Sequence, residues 1–226
     1  MIAPLRNYAV KGVLWYQGES STKKPSEYAA LMETLIANWR TEWKQEKLPF
    51  LIVQLTNFME PKAEPGESNW AALRQQQKEV LNVPNTGMAV TIDLGEWNDI
   101  HPLNKYDVGK RLALQARKIA YGEKNLVASG PLFKSMEQKG NQLILSFTDV
   151  GSGLLAKENN TLKGFAVAGN DGNFVWANAI IESDKVIVWN DAVQIRQKFD
   201  MRGLTIRKEP ICIITKTYQL HLLNQH

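Results

Sequence analysis

Gly12-Val-Leu-Trp-Tyr-Gln-Gly-Glu-Ser-Ser21 decides the fold of this chain. Val13 to Tyr16 read as a buried strand that stops abruptly at a polar turn. Downstream, apolar residues at Tyr28, Leu31, Leu35, Ile36, Trp39 and Trp43 fall at helical spacing, so one helix is expected from Ser26 to about Gln45. Pro49-Phe-Leu-Ile-Val-Gln-Leu55 is a continuous apolar run, which fits a strand covered on both faces. Residues 56–68 carry two prolines, a glycine and several charges and read as a long surface loop. A second helix is expected from about Ser68 to Leu81, and a third strand over Gly87 to Ile92. Asn104 can cap a third helix, with Asp107 favouring its N-terminus and Val108, Leu112, Ala116 and Ile119 as its buried stripe. Strand, helix, strand, helix, strand, helix predicts a parallel sheet with helices on its faces.

In such sheets ligands gather at the carboxyl ends of the strands. Two polar segments lie just past strand ends: Gln17 to Ser21, and Asp93 to His101 within Asp93-Leu-Gly-Glu-Trp-Asn-Asp-Ile-His-Pro102. After Gly122 the pattern changes. Leu143 to Phe147, Gly164 to Ala168, Phe174 to Ala177 and Lys185 to Trp189 are short strands separated by Gly-Asn, Asp-Gly and Ser-Asp turns. The expected organisation is an α/β domain over 1–124, an antiparallel β module over 125–194, and an anomalous tail over 195–226.

The chain has 226 residues, enough for one large domain or two small ones, with 44% hydrophobic and 22% charged residues as in ordinary globular proteins. The net charge of +4 raises a nucleic-acid hypothesis, but its location argues against it. From Ile195 onward there are six Lys/Arg and two Asp/Glu, which leaves 21 of each sign in the body. The single cysteine, Cys212, also lies in the tail, so the body has neither disulfide nor thiol chemistry. No apolar run approaches the length of a membrane span, and the N-terminus carries no signal-peptide pattern. No partner membrane, nucleic acid or cofactor is expected, and the oligomeric state is open.

His101 can act as a general base near neutral pH, with Asp99 as the nearest carboxylate to orient it. Taken alone, a histidine before a proline is more often structural than catalytic. The other two histidines, His221 and His226, lie in the tail, so the body offers too few ligands for zinc. Gln17 and Gly18 can supply a side-chain amide and a backbone N–H to a developing oxyanion, although a tight turn needing glycine is an equal explanation. Glu19 is better suited to orienting or binding a substrate than to acid catalysis. Trp15, Trp70 and Trp97 can line a sugar site or pack a core, and packing is the default. Ser20 and Ser21 are not in a nucleophile elbow, and Ser21 is expected to brace the loop.

Several segments resemble the SGNH (GDSL-like) hydrolases, specifically the sialate O-acetylesterase group. They are Met1-Ile-Ala-Pro-Leu5, Lys11 to Ser20, Asn38-Trp-Arg40, Pro49 to Leu55, Asp99-Ile-His-Pro102 and Val108-Gly-Lys-Arg-Leu-Ala113. The likeness covers roughly residues 1–190. It implies a flavodoxin-like three-layer parallel sheet, here incomplete, followed by the small antiparallel β module. It further implies a serine-type esterase that removes O-acetyl groups from sialic acid or related sugars, with His101 as catalytic base, Asp99 steadying it, Gln17 in the oxyanion hole, and Gly18 and Glu19 shaping its loop. Metal and cofactor are not implied; the partner is an acetylated carbohydrate. Acetylated xylan or another plant polysaccharide is an alternative substrate, and a non-catalytic sugar-binding protein an alternative class.

The sequence departs from that pattern in three places. The nucleophilic serine of the family lies in a Gly-Gln-Ser-Asn-type block, and this chain begins after it, so inactivity of the isolated chain is expected. Many SGNH enzymes place the aspartate three residues before the histidine, where this chain has Asn98. A dyad braced by a backbone carbonyl is therefore an alternative to the Asp99–His101 pair. From about Gln197 the expected aromatic, proline-rich ending is absent, but another reading frame of permitted codons encodes a close likeness to it. A frameshift near residues 192–197 is the expectation. An intact family member is expected in the periplasm or outside the cell.

Overall fold

The computed structural model describes residues 2–60, 62–156, 161–169 and 171–194. The tail from residue 195, and with it the expected frameshift, lies outside the described residues. The chain forms two compact units. Among the described residues, one comprises those up to Met59 together with Glu67–Ser129; the other comprises those of Glu60–Gly66 and those from Gly130 to residue 194.

In the first unit, β1 (Val13–Trp15), β2 (Phe50–Val53) and β3 (Thr86–Ala89) form a three-stranded sheet in that order. Both pairings are parallel: Val13 lies opposite Phe50 and Trp15 opposite Ile52, while Phe50 lies opposite Thr86 and Val53 opposite Ala89. Parallel neighbours need long crossovers, and the helices α1 (Tyr28–Glu42), α2 (Asn69–Glu79) and α3 (Lys105–Ile119) occupy the segments that follow the three strands. β2 is buried along its whole length because alternate residues serve two cores. Phe50 and Ile52 pack with Tyr28, Met32, Ile36, Trp70 and Leu73 of α1 and α2; Leu51 and Val53 pack with Val108 and Leu112 of α3. These are three layers, with helices on both faces of the sheet.

The elements match the periodicity closely, with local differences. The buried stripe of α1 runs through Tyr28, Met32 and Ile36, and Leu31 is exposed: its position is one residue off the row that faces the core. Ser26 and Glu27, the first residues of the predicted helix, lie instead in a tighter turn, Pro25–Glu27. β3 ends at Ala89 rather than Ile92, where the chain leaves the sheet for the loop that bears the site. Ser68 caps α2, accepting the Ala71 N–H, and Asn104 caps α3, accepting the Asp107 N–H. A Cβ on Gly87 of β3 would lie 2.4 Å from the tip of Ile119 and 2.6 Å from that of Gln115, so a larger residue here would require those side chains of α3 to shift.

The second unit is antiparallel. Its five-stranded sheet has the order β4 (Leu132–Lys139), β5 (Gln142–Thr148), β10 (Lys185–Trp189), β9 (Asn178–Glu182), β6 (Thr161–Leu162), beside a hairpin of β7 (Ala166–Ala168) and β8 (Phe174–Trp176). Leu143, Leu145, Leu162, Val167, Val186 and Val188 build its core. The turns fall at Gly140-Asn141, Asp171-Gly172 and Ser183-Asp184; Gly140, Gly172 and Ser183 have φ of 60°, 76° and 57°. Periodicity missed β4, β6 and β9. β4 is an edge strand of mixed polar composition, so it lacks the apolar signal of its partners.

Candidate active site

β1 ends at Trp15, and the chain turns through Gln17 and Gly18 into a short 3₁₀ segment, Glu19–Lys23. Gly18 is buried where a side chain has little room: a Cβ would lie 3.1 Å from Gln77 Nε2, 3.2 Å from Leu55 and 3.3 Å from Leu73. The Gln17 carbonyl accepts from the Tyr28 hydroxyl at 3.2 Å and from Gln77 Nε2 at 3.3 Å. The Gln17 side-chain amide makes a single long bond, 3.5 Å to Ser21 Oγ. A donor so weakly held is free to turn to a ligand, and Ser21 braces the turn. The Gly18 N–H differs from the sequence reading. It donates to Glu19 Oε2 at 3.0 Å, so the Glu19 carboxylate closes its own turn and occupies the backbone donor. Of the two candidate donors, the Gln17 amide is left available. Burial first, and the Glu19 carboxylate second, raise the Tyr16 phenol above its ordinary pKa.

The second segment follows β3 and is anchored before it reaches His101. The Thr91 hydroxyl, fully buried, donates to the Gln54 carbonyl at 2.5 Å. Asp93 and Arg111 of α3 form a two-pronged ion pair at 2.6 and 2.8 Å, and Arg111 also donates to the Val90 carbonyl at 2.8 Å. Gly95 lies so close to the neighbouring loop that a Cβ would sit 2.3 Å from the Asn57 carbonyl oxygen. The Met59 N–H donates to the Trp97 carbonyl at 2.8 Å. Asp99 Oδ1 then accepts the backbone N–H of His101 at 2.7 Å and lies 3.8 Å from its Nδ1. At that separation the carboxylate fixes the main chain and faces the imidazole without a hydrogen bond to it. The His101 side chain is 90% exposed. Lys105, four residues on in α3, stacks its ammonium 4.9 Å from the Tyr16 ring. That contact brings the start of α3 beside the residue that precedes Gln17.

The three tryptophans separate by environment. Trp15 packs edge-on against Trp39 at 6.0 Å, and Trp70 is buried with its Nε1 donating to the Thr56 carbonyl at 2.6 Å. Trp97 is 51% exposed on the loop that leads to His101.

Sequence reasoning missed the role of α2. Gln77, fully buried, accepts the Leu55 N–H at 2.9 Å and donates to the carbonyls of Gln17 and Val53. It joins the turn after β1 to the end of β2 across 60 residues of sequence. Arg74 lies one turn earlier, its Nη1 3.4 Å from the Thr56 carbonyl. No local pattern marks either residue; an isolated polar position on the inner face of a helix was the available hint. Among the described residues, no group of three or more His, Cys, Asp or Glu is placed to hold a metal ion. Nor is any described helix long and apolar enough to cross a membrane.

A parallel sheet between helices, with an accessible imidazole and a loosely held amide on loops beyond its carboxyl edge, defines a three-layer α/β protein of the SGNH-hydrolase kind. A carbohydrate acetylesterase from Xanthomonas citri shares this structure, with a TM-score of 0.80 and 45% identity over 86% of this chain and 45% of that one. The family model described as carbohydrate esterase, sialic acid-specific acetylesterase matches residues 2–118. The sialate O-acetylesterase of Rattus norvegicus is 36% identical over 182 residues, 72% of this chain and 33% of the relative. That of Homo sapiens is 36% identical over 166 residues, 66% of this chain and 31% of the relative. The chain belongs to the sialic acid-specific acetylesterase family of carbohydrate esterases. It spans about a third of the length of the curated relatives it matches.

Proposed function

We propose that this chain is part of a serine-type carbohydrate esterase that removes O-acetyl groups from sialic acid or a related sugar. A serine from the Gly-Gln-Ser-Asn-type block of the intact enzyme attacks the ester carbonyl, and His101 takes its proton. The Gln17 amide donates to the tetrahedral oxyanion. The imidazolium returns the proton to the departing sugar hydroxyl, and water, activated by the same imidazole, releases acetate from the acyl-enzyme. Asp99 holds the His101 backbone and adds negative charge near the imidazolium. Trp97 offers an aromatic face to the sugar ring.

The observation that carries this reading is the exposed His101 beside Asp99, on the same rim as Gln17, within the 2–118 stretch that matches the esterase family. The test is acetate release from O-acetylated sugars by a protein in which the serine block precedes this chain. His101→Ala is expected to lower kcat by about 10²–10⁴, and Gln17→Ala by about 10²–10³. Unchanged turnover in the His101 variant refutes the assignment. For the chain without that block, no turnover of p-nitrophenyl acetate is expected; turnover that depends on Ser20 or Ser21 contradicts the mechanism.

A further inference from the structure

We propose that Lys105 is a positioning residue: its stack on Tyr16 sets the His101 imidazole against the Gln17 amide. The inference rests on the esterase reading and adds to it a residue that acts through the two loops of the site.

Proton transfer and oxyanion stabilisation need the imidazole and the amide at a fixed separation, and a misplacement of about 1 Å can cost about 10²-fold in rate. Neither side chain is held firmly by bonds of its own. The His101 side chain is exposed, and the Gln17 amide makes one bond of 3.5 Å. Their separation is therefore set by the main chain on either side. Before the histidine, Asp99 holds the His101 N–H at 2.7 Å, and Ile100 packs against the first core. After it, Pro102 is buried, the Lys105 N–H donates to the Leu103 carbonyl at 2.8 Å, and Asn104 caps α3. His101 thus moves with the start of α3, where Lys105 is the first residue.

That helix packs on β2 and β3. Over β1 the same face is open: Leu14, which lies opposite Leu51, is 62% exposed. Two cation–π pairs join α3 to β1 at its opposite ends. Lys105 lies 4.9 Å from the ring of Tyr16, just after β1; Lys11, just before β1, lies 5.8 Å from the ring of Tyr121, just after α3. The attraction acts within about 6 Å, so the pair at the site is the closer and stronger one. Tyr16 leads directly into Gln17, whose carbonyl is fixed by Tyr28 and Gln77. It also faces the turn: burial, and after it the Glu19 charge, raise its phenol, and the same carboxylate closes on the Gly18 N–H. The stack therefore joins the helix start that carries His101 to the turn that carries Gln17. An exposed pair of this kind adds little to overall stability, so its loss is read in position rather than in folding.

Kinetics and NMR together test this. In the protein that carries the serine block before this chain, Lys105→Met is expected to lower kcat for acetate release about tenfold, with KM changed by less than about twofold. Lys105→Arg, whose guanidinium also stacks on aromatic faces, and Tyr16→Phe, which keeps the ring, are each expected to stay within about threefold of the parent kcat. Tyr16→Leu is expected to fall as far as Lys105→Met, and the double variant no further, because both remove one contact. Lys105→Met, at an exposed position, covers the case in which Tyr16→Leu fails to fold. Lys11→Met breaks the same chemistry at the far end of α3 and is expected to change kcat by less than about twofold. In the 226-residue chain, where no turnover is needed, the backbone amide resonances of Gln17 and His101 are both expected to shift in Lys105→Met and to return toward the parent in Lys105→Arg. An unchanged kcat in Lys105→Met, a raised KM at unchanged kcat, no rescue by arginine, an equal loss in Lys11→Met, or NMR shifts confined to α3 each overturns the proposal. Coupled shifts of Gln17 and His101 in a protein without His101-dependent turnover would remove the esterase reading and leave the positioning contact standing.

Discussion

Replacing Gln77 by methionine tests whether one buried amide joins the two ends of the sheet that build the site. Methionine keeps the length and most of the volume of glutamine, so no large cavity opens. The hydrogen bonds are lost. The Leu55 N–H, on a residue only 1% exposed, is left without its 2.9 Å acceptor, and an orphaned buried donor costs about 1–3 kcal/mol. The bonds to the Gln17 and Val53 carbonyls are longer, 3.3 and 3.4 Å, and add about 0.5 kcal/mol each, the low end for such bonds. The Gln17 carbonyl keeps the Tyr28 hydroxyl. Relief from burying an amide offsets part of the loss, so a net destabilisation of about 2–3 kcal/mol is expected. Urea unfolding followed by tryptophan fluorescence measures it, since five of the seven tryptophans (Trp15, Trp39, Trp43, Trp70 and Trp97) lie in the first unit. Gln75→Met is the control. Gln75 is exposed on the same helix and bonds to Glu79, so its loss is expected to cost less than about 0.5 kcal/mol. A Gln77→Met midpoint indistinguishable from that of the control refutes the reasoning.

Two glycines are expected to respond oppositely to alanine. Gly95→Ala forces its loop away from the Asn57 carbonyl and costs about 1–3 kcal/mol; Gly109→Ala, with open space around it inside α3, gains about 0.5–1 kcal/mol. Thermal melts of both variants read the sign, and a stabilised Gly95→Ala contradicts the packing. Asp93→Asn leaves the Arg111 charge largely buried without its counter-ion and is expected to cost about 3–5 kcal/mol, measured by urea unfolding; a loss below about 1 kcal/mol means the pair does not anchor the loop. His101→Ala removes an exposed side chain and is expected to shift stability by less than about 0.5 kcal/mol, so a large shift would show a structural role for the ring. Burial raises the Tyr28 phenol above the ordinary tyrosine value of about 10. The contribution is therefore fully present below pH ~10 and is lost as pH rises through the folded-state value, because the unfolded chain ionises first. Unfolding free energies from pH 9 to 11 are expected to fall more steeply for the parent than for Tyr28→Phe, and parallel slopes would count against it.

The order of elements in the first unit was legible because it depends on near neighbours. An apolar stretch such as Phe50 to Val53, the helical spacing of Val108 and Leu112, and Asn104 as a cap each state a local preference that the fold keeps. That the segments bearing Gln17 and His101 follow strand ends was also legible. Other features depend on residues far apart in sequence meeting in space. No periodicity reveals that Gln77 reaches Gln17, that Asp93 finds Arg111, or that Gly95 has no room for a methyl group. The partner of the Gly18 N–H shows the same limit at short range: its donor was foreseen, but the rotamer that turns Glu19 back onto it is chosen by the packed turn. Sequence by itself determined the strands and helices of the first unit, because backbone preference and amphipathic spacing act within a few residues. Only the tertiary structure decided which polar groups of the described residues meet a partner, because hydrogen-bond and ion-pair partners are set by closure of the chain over tens of residues.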